Sequence, residues 1–153
     1  MTIHQSDFAK GIKDVVYPAT ADRAVAYRFA MAVPANAAVN DILELAVIPA
    51  GCRPVEVTVD SDDLDTNATP TLAFDVGMMS GDVGDPSPAR TCGAEFLTGA
   101  QIGRTGGVAK PSTASAYRVP PAPVARSIGV KITTAAATAA PGQIGITVLY
   151  ATV

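Results

Sequence analysis

Apolar residues alternate with polar or small ones along most of this chain, at a period of two rather than 3.6. In AVAYRFAMAV, residues 24–33, Val25, Tyr27, Phe29 and Met31 share one face, which predicts a half-buried strand. DILELAVI at 41–48 predicts another, with the acids Asp41 and Glu44 at its beginning. VEVTVD at 55–60 places Val55, Val57 and Val59 inward, Glu56 and Thr58 outward. TLAFDVGMM at 71–79 sets Leu72, Phe74 and Val76 on one face. ARSIGVKIT at 125–133 and QIGITVLYATV at 143–153 close the series, with Ile128, Val130 and Ile132 aligned in one and Ile144, Ile146, Val148 and Tyr150 in the other.

Weaker patterns fill the rest. Residues 1–22 read as an extended arm with one short strand at 13–17. AEFLTGAQIG, 94–103, reads as the one short helix, and AYRV, 116–119, as a short strand halted by PPAP, since proline has no amide to donate. SGDVGDPSPARTCG and RTGGVAKPSTAS read as loops, and Pro141-Gly142 predicts a hairpin between the last two strands. Seven or eight strands at these spacings predict an all-β chain: a single antiparallel β-sandwich of jelly-roll type at 23–153, with long loops and the N-terminal arm at 1–22. Neither a repeat nor a linker divides it.

Composition agrees with short strands. Of 153 residues, 48% are hydrophobic but only 5% aromatic, with no Trp. Only 16% are charged, so Ala, Thr and Ser must form much of the surface, as suits a protein packed against neighbours or simply a bland soluble one. The net charge of −3 disfavours a nucleic-acid partner. Its distribution is uneven: residues 1–95 hold all 14 acids against six basic residues, and the remainder holds five basic residues and no acid. Two readings follow, a fold that interleaves the halves and cancels the asymmetry, or a bipolar surface that docks on an assembly of opposite pattern. Cys52 and Cys92 fit no zinc or redox spacing, and read as one disulfide or two separate buried thiols. No apolar run reaches the roughly 18 residues of a membrane span, and MTIHQSDFAK is too polar for a signal sequence, so synthesis in a cytoplasm and no membrane partner are expected.

DSDDLDTNATPTLAFDVG, 60–77, is the one stretch that looks like chemistry, with Asp60, Asp62, Asp63, Asp65 and Asn67 crowded together. As an EF-hand counted from Asp63 it fails, with Ala68 where glycine is needed and Phe74 where glutamate is needed. A looser calcium site at Asp62, Asp63 and Asp65 remains open, as does a glycosidase pair, although sugar-stacking aromatics are scarce. The simplest reading is structural: the aspartates cap backbone amides of a turn, and Leu64 anchors it to the core. His4 lies in the polar arm, so no nucleophile has a well-placed base. GRTGG, 103–107, lacks the Lys-Ser/Thr of a phosphate loop; its glycines suit a tight turn, and Arg104 is either solvated or set against an acidic partner. No catalytic, metal-binding or cofactor-binding residue is therefore assigned.

LAVIPAGCRPVEVTVDSDDLD, then TLAFDVGMMSGD, then GAQIGRTGGV together resemble a pattern of tailed-bacteriophage capsid cement, or decoration, proteins. The resemblance spans about 45–108 and implies a β-sandwich or jelly-roll body with no catalytic role for Asp62, Asp63 or Asp65. It further implies a structural virion protein on the capsid exterior that bridges major capsid protein subunits. A homodimer suits a two-fold lattice position, with the arm and loops reaching the shell. The alternative is a carbohydrate- or receptor-binding β-sandwich of a phage tail or fibre, with calcium on the acidic turn.

Overall fold

Among the described residues the alternation is realised as nine strands in two sheets. A computed structural model describes residues 1–18 and 23–152. The strands are β1 (Ile3–Gln5), β2 (Ala24–Ala32), β3 (Ile42–Ile48), β4 (Cys52–Ser61), β5 (Ala73–Met78), β6 (Leu97–Ala100), β7 (Gly107–Ala109), β8 (Arg126–Thr134) and β9 (Gln143–Thr152). One sheet runs β1-β3-β8-β5-β6 and the other β2-β9-β4-β7. All neighbours are antiparallel except β1 and β3. Setting β1 aside, two four-stranded sheets face each other, and the chain changes sheet at every connection but β5–β6. That is a jelly-roll-like β-sandwich.

The predicted faces meet in one core: Phe29, Val57, Val59, Ile146, Val148 and Tyr150 from one sheet, Leu43, Leu45, Phe74, Val76, Ile128 and Val130 from the other. β3 is buried along its whole length. Its outer side is covered by the loop after β5, where Gly84 and Arg90 both reach Glu44.

Several expectations are corrected. Val55 points outward, 38% exposed, because the β4–β9 register shifts between Pro54 and Glu56. A bulge there moves one residue off the inward face. No strand forms at 13–17; the preceding residues curl instead, the amides of Ile12 and Lys13 donating to Asp7 O. The segment read as an arm is tied to the body, with β1 beside β3 and Phe8 and Ala9 in the core, while the end of that reading, 19–22, lies outside the described residues. No helix spans 94–103. Leu97 pairs with Val76, Gly99 takes a positive φ of 58°, and only a 3₁₀ turn follows at Ile102–Arg104. The predicted loop after it contains β7. AYRV is not a strand, since Ala114–Tyr117 is a 3₁₀ turn with Ala116 buried, and Val119 is buried just beyond its end. Lastly, β8 and β9 form no hairpin: they belong to opposite sheets, and the link 135–142 crosses between them.

The two unevenly charged parts of the sequence are interleaved in the sheets. β9 lies between β2 and β4, and β8 between β3 and β5, so the basic third of the sequence is threaded through the acidic part.

Candidate functional site

The acidic turn follows β4 and joins it to β5. Asp65 is 1% exposed, and its carboxylate accepts four backbone N–H groups: Thr71 at 2.7 Å and Leu72 at 3.1 Å from its own turn, Ala137 at 3.0 Å and Thr138 at 2.8 Å from the β8–β9 crossover. Burial alone would raise its pKa; the four amides outweigh it and hold the group far below the usual carboxylate range. Asp62 accepts from Gln143 N at 2.8 Å, and Asp63 from Asp65 N at 3.1 Å. Asn67 accepts from Thr69 N and donates to Thr138 Oγ1, both at 2.9 Å. Leu64 is buried as the anchor. Asp60 stands apart, paired on both oxygens with Arg28, whose guanidinium crosses β9 above Gly145. A Cβ at Gly145 would lie 2.6 Å from both Arg28 Nη2 and Asp60 Oδ1, so the pair requires glycine there.

The five residues thus divide into separate tasks, and their oxygens do not converge. Among the described residues no group of three His, Cys, Asp or Glu side chains is disposed to hold a metal. What the turn does is mechanical: it fastens the two long connections at one end of the sandwich to each other.

The other singled-out residues are also structural. Arg104 donates to the carbonyls of Leu72, at 2.8 Å, and Thr71, at 3.2 Å, rather than to an acid. Gly106 supplies the expected positive φ, 75°. His4 is not solvated in a free arm but half-buried in β1, with Nε2 3.4 Å from Asp41 Oδ2. Cys52 and Cys92 are both free thiols; burial pushes Cys92 up to about 12.

Sequence reasoning missed a second polar centre. Glu44 is fully buried in β3 and takes both guanidinium branches of Arg90, at 2.8 and 2.9 Å. Gln5 Nε2 at 3.0 Å, Gly84 N at 3.1 Å and the Ser127 hydroxyl complete its shell. Burial favours the neutral acid, but Arg90 first, then these donors, lower its pKa. Arg90 further donates to Ser80 O and Asp85 O at 2.7 and 2.8 Å. A charged residue in the middle of the apolar run ILELAVI was the available signal, because such a residue requires a buried partner.

An apolar void of about 30 Å³ lies between Leu43, Leu64, Leu72, Phe74 and Ile144. At the end opposite the acidic turn three segments meet: Gly51 N donates to Ala122 O at 2.7 Å, Val16 O accepts the Tyr150 hydroxyl, and the Tyr17 hydroxyl lies beside Gly51. Val16, Tyr17 and Val124 are exposed there at 49, 55 and 59%.

Comparison with known proteins gives the same architecture. A chain of the capsid of Ralstonia phage GP4 superposes with a TM-score of 0.94 at 41% identity, over 99% of this chain and 98% of that one. A chain of the cyanophage Pam1 capsid asymmetric unit gives 0.65 at 20% identity, over 94% and 96%. One from the acidic stable capsid of Helicobacter pylori bacteriophage KHP30 gives 0.53 at 17%, over 84% and 91%; these last two share the fold. No family model matches the chain, and no curated protein does.

Proposed function

This chain belongs to the same family as the Ralstonia phage GP4 capsid chain, and from that premise we propose that it is a cement protein. It is a structural, capsid-associated protein of the virion with a non-catalytic role. In the proposed mechanism it sits on the capsid exterior and bridges neighbouring major capsid protein subunits, as a homodimer. A body that binds the assembled shell and not the free subunits stabilises assembly by mass action, and repetition over many copies multiplies modest contacts.

The observation that carries this reading is the match to a capsid chain over 99% of this chain by a body whose two buried polar centres, at Asp65 and Glu44, are spent on holding its own loops. Val16, Tyr17 and Val124 are the proposed shell-facing residues, since they are large, apolar and exposed on two of the three segments that meet there. The receptor-binding alternative has less support, because Asp65 is taken up by four backbone amides, Asp62 and Asp63 each accept one, and among the described residues no three acidic side chains are disposed to hold a metal.

Co-sedimentation with phage heads lacking the protein tests the proposal. The wild-type chain is expected to pellet with heads, and Tyr17→Ser with Val124→Ser to pellet less while melting normally. No binding of the wild type to heads would overturn the reading. Deletion of 1–22 is a poor test, because it also removes β1 and Phe8 from the body.

A further inference from the structure

The four sheet edges are not alike. β1 and β7 have three residues each, and β6 has four, with a register shift against β5 and a positive-φ glycine at Gly99. Short, broken edges of this kind resist strand addition. β2 has none of these protections. Its nine residues pair with β9 without interruption, from Ala24↔Ala151 to Ala32↔Gln143. It contains no proline and a single charge, Arg28. That charge does not guard the edge, because its side chain is drawn inward over Gly145 to Asp60. Among the described residues no backbone group of 24–32 bonds to anything other than β9. A row of open amides and carbonyls is left along one side of the sandwich.

The sequence of that edge is symmetric in character. Reading AVAYRFAMA outward from Arg28 gives Tyr27 and Phe29, Ala26 and Ala30, Val25 and Met31, Ala24 and Ala32. An antiparallel copy turned about a two-fold axis at Arg28 therefore sets like against like. Alanine lies opposite alanine on the outer face, on either side of the axis where the two Arg28 side chains come together, each paired with its own Asp60, while Tyr27 is in register with the second copy's Phe29 on the inner face. There each aromatic pair already packs with Phe8, at 5.4 Å from Tyr27 and 4.7 Å from Phe29. Aromatic cross-strand pairs are among the favourable contacts between antiparallel strands. We infer that the β2 edge is an interface for a second copy of this chain, joining two four-stranded sheets into one of eight strands. An isologous contact of this kind closes on itself and stops at two. The inference deepens the homodimer part of the proposed function by naming where the copies meet.

The register makes the test specific, because Ala26 of one copy faces Ala30 of the other. In sedimentation equilibrium the full wild-type chain is expected to be dimeric. Ala26→Lys with Ala30→Lys puts two like-charge pairs across the axis and should raise the dissociation constant roughly tenfold or more, with circular dichroism unchanged. Ala26→Glu with Ala30→Lys replaces them with two opposite-charge pairs and should restore the dimer. A monomeric wild type, a double-lysine variant as dimeric as wild type, or no rescue by the Glu/Lys variant would each overturn the edge assignment. A monomeric wild type that still pellets with phage heads overturns this interface alone, whereas a dimer that ignores heads overturns only the cement reading.

Discussion

Two buried carboxylates hold this sandwich together, and they do so by opposite means. Asp65 is satisfied by backbone: four amides from two connections, none of them carrying a charge. Glu44 is satisfied mainly by another side chain, the guanidinium of Arg90, brought in by a loop and itself almost wholly buried. The first arrangement organises chain that would otherwise lack partners for its amides. The second puts two charges where neither is tolerable alone. Their difference lies in what is left behind when one member goes.

Arg90→Ala should be the most damaging single change, since Glu44 keeps its burial and loses its countercharge. A loss of about 3–5 kcal/mol in urea unfolding is expected. Glu44→Gln combined with Arg90→Met should lose clearly less than Arg90→Ala alone, because no lone charge remains while an oxygen still serves Gly84 and Ser127. Asp65→Asn comes next, with a melting temperature lower by a few degrees. One oxygen survives, but the new NH₂ faces amide donors.

Acid sharpens the contrast. Both carboxyls have folded pKa values below their unfolded values, about 3.9 for Asp and 4.3 for Glu. Their contribution is therefore complete above those values and declines as pH falls through them, when the unfolded chain takes up protons first. The wild type should lose stability below about pH 4, and Asp65→Asn should show a shallower decline than wild type. The smallest expected effect is local. Cys92 follows Arg90 by two residues, and its thiol, raised by burial to about 12, should react slowly with iodoacetamide in the native protein. Arg90→Ala should quicken that labelling and Asp65→Asn should not, as read by mass spectrometry.

The same contrast explains what could be read from the sequence. Aspartate caps act within a few residues, so the 60–67 turn identified itself as structural; its reach to Arg28, Ala137, Thr138 and Gln143 was hidden. Arg90 is 46 residues from Glu44, and nothing in SPARTCG marks it as buried. The six long strands were legible because a period of two reports which side chains share a face. Periodicity does not report which strand lies beside which. Pro141-Gly142 therefore suggested a hairpin where the chain in fact changes sheet, and the AEFL run suggested a helix where Gly99 and the β5 edge impose a strand.

Because among the described residues only β5 and β6 are successive strands that lie side by side, little of this sandwich can assemble from local contacts. Chains dominated by such distant pairings reach the native state slowly, on the order of milliseconds to seconds. Peeling one strand away likewise disturbs both layers. Endurance under heat is then better expressed as an inactivation half-life than as a free-energy difference, and a particle coat made of such pieces would age at the rate they open.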